Sequence, residues 1–164
     1  MIPSETQLSN AIYHVAKHCF TSLFAEHPES FYYCTMVTTG EALAPTISAW
    51  SYEALNKADP EVKWSYADSP YCCLKDELFQ PVRELFELRP MTNLNNDEDR
   101  QAEYALRLRA MESAMLKLDQ EGVFSSGRSR EHMVIAVEVM PPDHTNVERV
   151  LRLNPFNSVT EWLE

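Results

Sequence analysis

His14 and His18 stand four residues apart, the spacing at which two imidazoles on one helical face can share a metal ion. Both fall on the polar stripe of their segment, no Glu follows His14, and no third ligand is placed by the sequence, so the pair reads as solvated. Cys72 and Cys73 are adjacent, and the chemistry open to such neighbours is a vicinal disulfide or a redox switch. With no C-x-x-C spacing anywhere, and two of the four cysteines inside apolar segments, free thiols in a reducing compartment are the simpler account. Glu84 with Glu87, and Asp97 with Asp99, are close carboxylate pairs, but carboxylates on exposed helices are usually solvated. Gly127-Arg128-Ser129-Arg130 is the basic cluster of a loop and has the chemistry to hold an anion; the competing account pairs Arg128 or Arg130 with nearby acids such as Glu121 or Glu131. No G-x-S-x-G or comparable nucleophile setting is present. No catalytic residue, cofactor or metal is therefore expected, and the function class that remains is binding.

The residues suited to binding are aromatic and acidic. Trp50, Tyr52, Trp64, Tyr66 and Tyr71 fall in one stretch of loops and strand ends, where such rings either cover a core edge or, beside acids, form an interface hot spot. Asp97, Glu98 and Asp99 form the densest acidic run, and Trp64, Tyr66 and Asp68 form a second candidate patch.

Local signals set out the elements that must position these residues. Ser4 followed by Gln7 is a capping box, and Leu8, Ile12, Val15, Cys19 and Leu23 then recur at helical spacing, predicting a helix from about Glu5 to Ala25. Phe31 to Val37 and Leu43 to Trp50 read as the strands of a hairpin, with Pro45 placing the second at a sheet edge or a bulge. Ser51 caps a short helix ending near Lys57, and Val62 to Tyr66 reads as a short third strand. Helical spacing resumes from Leu74 to Arg89, where Pro81 imposes either a kink or a start near residue 80. The stretch from Pro90 to Asp99, with Asn93, Asn95 and Asn96, is the most loop-like. A long helix follows from about Asp97 to Leu118, ended by Gly122 as a left-handed cap. Met133 to Val139 is an apolar strand expected at the centre of the sheet, Asn146 to Leu153 a last helix, and a turn is expected near Trp162.

At 164 residues the chain fits one domain and buries roughly 70% of the surface its unfolded form exposes. Three glycines argue against Gly-rich phosphate loops and dinucleotide fingerprints. A net charge of -11, from 25 acidic and 14 basic side chains, repels a phosphate backbone, so direct nucleic-acid binding is not expected, and a basic protein partner is. The first residues lack the basic and apolar regions of a secretory signal, and no apolar run approaches the roughly 20 residues of a membrane span.

The order of segments resembles a known family. The aromatic strand Phe31 to Val37 and its hairpin are followed by Trp50-Ser51-Tyr52-Glu53-Ala54-Leu55, Trp64-Ser65, Leu118-Asp119-Gln120-Glu121-Gly122-Val123-Phe124 and Leu153-Asn154-Pro155. This pattern is similar to the bacterial domain-of-unknown-function family numbered 4303, over most of the chain from the first helix to Leu153. Its most specific element is the Leu-Asp-x-Glu-Gly-x-Phe stretch, followed by Arg130 and an apolar strand. Members of that family resemble small proteins encoded beside polymorphic toxins, so the resemblance implies an immunity protein or a related interaction domain. It transfers no catalytic residue.

The expectations are then definite. The chain forms a single α+β domain over residues 1–164, with a mostly antiparallel sheet of about three to five strands packed with about four to six helices. It acts in the cytoplasm as an immunity protein that occludes a cognate toxin, one with a basic active-site cleft, through Trp64, Tyr66, Asp68, Asp97, Glu98 and Asp99. It engages neither nucleic acid nor membrane. Two alternatives are an enzyme with a pocket built from Arg128, Arg130, Asp119 and Glu121, and an adaptor without inhibitory activity.

Overall fold

The computed structural model describes residues 1–91 and 95–164; the loop expected over Pro90 to Asp99, Asn93 included, lies partly outside the described residues. Helix α1 (Glu5–Glu26) starts as the capping box requires: the Ser4 hydroxyl accepts from the Gln7 amide at 3.1 Å, and the Ser4 amide donates to Gln7 Oε1 at 2.8 Å. Strands β1 (Phe31–Thr39) and β2 (Thr46–Ser51) form the expected antiparallel hairpin, with Tyr33 opposite Trp50 and Met36 opposite Ile47. Helix α2 (Tyr52–Leu55) is capped by the Ser51 side chain. Helix α3 (Gln80–Glu87) begins next to Pro81, which resolves the choice between kink and start in favour of the start; a 3-10 turn over Asp76–Phe79 leads into it. Helix α4 (Asp97–Gln120), strand β3 (Val134–Met140) and helix α5 (Thr145–Leu153) complete the order, and a 3-10 turn at Phe156–Ser158 follows.

The α+β expectation holds: among the described residues there are five α-helices and one sheet with strand order β2-β1-β3. The sheet is mixed rather than mostly antiparallel, because β3 runs parallel to β1, with Tyr33 opposite Val134 and Val37 opposite Glu138. One face, carrying Cys34, Met36, Ile47, Ala49, Ile135 and Val137, packs against α1, α3 and α4. The other, carrying Tyr33, Trp50, Val134 and Ala136, is covered by Val150 of α5, by Val159 and by the segment around Trp64. Burial on both faces explains the mostly apolar composition of β1, enclosed from Phe31 to Thr38.

Two further expectations fail. Val62 to Tyr66 is not a strand: Asp59 caps a 3-10 turn at Pro60–Val62 and the chain continues in turns. Its carbonyls are met by side chains of the sheet instead of by a ladder, with Tyr32 donating to Lys63 at 2.7 Å, Trp50 to Ser65 at 2.7 Å and Ser48 to Tyr66 at 2.8 Å. Strand β3 is an edge strand, and β1 is the central one. The outer edge of β3 is closed by side chains of α5 and its C-cap. Asn154 donates to the Ile135 carbonyl and accepts from its amide, Asn146 does the same for Val139, and Arg149 donates to Val137 O. An edge strand so enclosed has the composition of a central one.

Candidate functional site

Arg128 is a half-buried cation that the fold leaves without an anion among the described residues. Helix α4 stops where Gly122 adopts φ +80, Phe124 turns inward to meet Phe20 edge-on at 5.3 Å, and Gly127 at φ +73 turns the chain again. The next residue, Arg128, is laid over the Phe24 ring at 4.0 Å from its centroid, with Phe31 at 5.9 Å. Its Nη1 is buried with no hydrogen-bond partner, and no carboxylate among the described residues pairs with it. Burial holds its pKa below the usual arginine value. Arg130, two residues on, is fully engaged: it donates to Asp119 at 2.6 Å, Met133 O at 2.6 Å, and Leu153 O and Asn154 Oδ1 at 3.0 Å. The basic cluster thus divides into one structural and one unpartnered arginine.

Arg128 lines a cleft of about 1100 Å³ between the end of α1, the starts of β1 and β3, and the turn at residues 156–158. Hydroxyls of Thr21, Ser30, Ser126 and Ser129 share its wall, and Tyr32, Tyr52 and Trp64 make its aromatic side. Tyr52 lies on Tyr32 at 4.5 Å, Trp64 meets Tyr32 edge-on at 5.4 Å, and Lys63, ion-paired to Glu161, sits about 5.5 Å from all three rings. The carboxylates on the lining are Glu29, Glu131 and Glu161. Hydrogen bonds from Ser51 and from Tyr71, the latter at 2.6 Å, hold Glu29 below the usual carboxylate range, so it is ionised at neutral pH.

Glu29 also borders a second depression of about 510 Å³, lined by Trp50, Glu53, Lys57, Asp68 and Tyr71. Trp64 and Asp68 therefore belong to adjoining hollows, with Tyr66 half-buried between them in sequence. Asp97, Glu98 and Asp99 are exposed but elsewhere: they form the first turn of α4, capped by Asn96, and α4 packs on the sheet face opposite Trp64. The structure brings together Trp64, Tyr66 and Asp68 and separates them from the acidic run. Of the set Arg128, Arg130, Asp119 and Glu121, Asp119 and Arg130 meet at 2.6 Å, while Glu121 accepts from Tyr13 and Lys17.

The other chemical candidates have plain environments. His14 and His18 are both exposed on α1, and no group of three or more metal-ligating side chains converges among the described residues. All four cysteines are free thiols, and burial pushes Cys72 up to about 11, which leaves little thiolate at neutral pH. Two features escaped the sequence reading. Glu29 carried no local signal, because its partners lie far along the chain. Glu138 did carry one, as the lone acid in an apolar strand: it is 4% exposed and accepts from Tyr33 and, at 2.7 Å, from Thr35.

A family model described as Domain of unknown function (DUF4303) matches residues 12–155, a span that contains Arg128, Trp64, Tyr66, Asp68 and Glu138. No curated protein and no solved structure matches the chain.

Proposed function

The chain belongs to the DUF4303 domain family, and we propose on that premise that it is a cytoplasmic immunity protein that binds and neutralises a cognate bacterial toxin with a basic active-site cleft. The observation that carries this reading is the disposition of charge. Of the 14 basic side chains, only Lys57, Lys117, Arg128 and Arg149 form no ion pair with an acid among the described residues. The 25 acids outnumber those pairs, and unpaired acids such as Glu53, Asp59, Glu61, Asp68, Glu98 and Asp99 are exposed. Such a surface steers a basic partner into encounter and discourages acidic ones.

The surface over residues 52–68 suits the contact best. Tyr52 is 43% exposed, Glu53, Asp59, Glu61 and Asp68 are exposed, and Trp64 and Tyr66 are half-buried among them. Aromatic anchors within an acidic rim are the composition of an interface hot spot. Trp64 and the Asp97–Asp99 turn belong to elements packed on opposite faces of the sheet, which favours a contact centred on the first. The test is co-expression with the toxin domain encoded by the adjacent gene. Growth should be restored and a complex should form at micromolar concentration in low salt. Failure of both, or a locus with no toxin gene, rejects the reading.

A further inference from the structure

We infer that the cleft beside Arg128 is a binding site for a small monocarboxylate carrying a flat ring, a ligand site that needs no partner protein and shares Tyr52 and Trp64 with the surface proposed for the toxin. A guanidinium has five donors in a fork that matches a carboxylate, and burying it without an acceptor is unfavourable unless something else supplies one. Arg128 is in that condition: Nη1 is buried and unpartnered, while the Phe24 ring lies 4.0 Å from the guanidinium carbon without accepting a conventional hydrogen bond. Arg130 shows how the same turn treats a structural arginine, bonding it to four acceptors. Nη1 itself is enclosed, so an anion arriving from the cleft that Arg128 lines would meet the other donors of the guanidinium.

The rest of the lining selects among anions. Glu29 and Glu131 border the same cleft, and Glu161 there is paired with Lys63, so a phosphate dianion is repelled more than a monoanion. Tyr52 and Trp64 stand on the aromatic side of the cleft, a wall suited to a planar group. Ser126 and Ser129 flank the Gly127-Arg128 turn and supply hydroxyls beside the carboxylate position.

The experiment titrates the isolated protein with indole-3-acetate, with its neutral isostere indole-3-acetamide, and with inorganic phosphate, following the Arg128 Nε–H signal and backbone amides by NMR. The acetate should saturate the cleft resonances with a Kd of about 1 mM or below. The acetamide, and the acetate on an Arg128→Gln variant, should bind about tenfold or more weakly. A Tyr52→Ala variant, changed at an exposed position, should weaken the acetate while leaving the fold intact. Equal binding of acetate and acetamide, unchanged binding by Arg128→Gln, tighter binding of phosphate, shifts confined to surfaces outside the cleft, or no saturation by about 10 mM each overturns the assignment. These titrations contain no toxin and the rescue assay contains no ligand, so the two readings fail separately.

Discussion

Glu138 lies on β3 beside the ring of Tyr33 and the hydroxyl of Thr35, 4% exposed, and burial pushes its carboxyl up to about 8 despite the opposing influence of Arg149. Folding therefore retains a proton that the unfolded chain releases near its ordinary value of 4.5. The stability this group contributes is fully present below that value and is lost as pH rises through about 8. At about 1.4 kcal/mol per pH unit, the wild type should lose about 2–4 kcal/mol between pH 5 and pH 8 relative to Glu138→Gln. Urea denaturation of both proteins at several pH values reads the difference; parallel curves would show that the carboxyl ionises freely in the fold. An acid alone in an apolar strand is visible in the sequence. Its partners are not, because Tyr33 and Thr35 reach it only through the parallel register of β1 with β3.

Elements are joined here by buried polar side chains as much as by apolar contact. On β3, Asn146 and Asn154 each bond one amide and one carbonyl of the exposed edge, and Asn154 also bonds Val150 O and Arg130. Replacing Asn154 by Leu strands the Ile135 amide and carbonyl in the interior, and should cost about 2–4 kcal/mol in urea unfolding, with aggregation increased as the edge opens. Between α3 and α4, Glu103 is held by Arg89 at 2.6 Å and Arg107 at 2.9 Å, and Arg107 donates further to Ala42 O, Phe86 O and Arg89 O. Arg107→Ala removes the central member of this cluster from a site 2% exposed and should destabilise by about 3–5 kcal/mol, measured as a fall in urea midpoint at unchanged m-value. Hydrophobic periodicity located α4 but placed neither Glu103 nor Arg107 inside, since an amphipathic pattern gives no sign that two charged residues four apart will be enclosed together.

Over the whole molecule the acids outnumber the ion pairs, and both sheet edges are occupied among the described residues. The β3 edge is closed by α5 and its C-cap, and the β2 edge by Leu74 N on Ile47 O and the Ser69 hydroxyl on Ala49 O. A partner is thus expected to meet side chains rather than add a strand. For the proposed toxin complex, the association rate should fall about tenfold or more between low salt and about 0.15 M salt. Reversing Glu53, Glu61 and Asp68 to Lys should abolish rescue and slow association. Reversing Asp97, Glu98 and Asp99 should leave association unchanged and weaken α4 by about 1 kcal/mol, because acids in a first turn complement the helix dipole. Stopped-flow association and thermal unfolding of the two triple variants distinguish these outcomes.

What the sequence determined by itself was whatever depends on near neighbours. Capping at Ser4, the apolar spacing of α1, the hairpin, the extent of α4, the left-handed turn at Gly122 and the α+β class all rest on residues a few positions apart. The tertiary structure alone decided the parallel pairing of β3, its place at an edge, the absence of a strand over Val62 to Tyr66, and the separation of Trp64 from Asp97 by the sheet. It also decided that Arg130 is consumed while Arg128 is left without an acceptor, a distinction between two residues of one short loop. Burial period is a local property of a chain. The choice of which edge, carbonyl or carboxylate meets a given side chain depends on segments brought together from far apart, and periodicity carries no record of that.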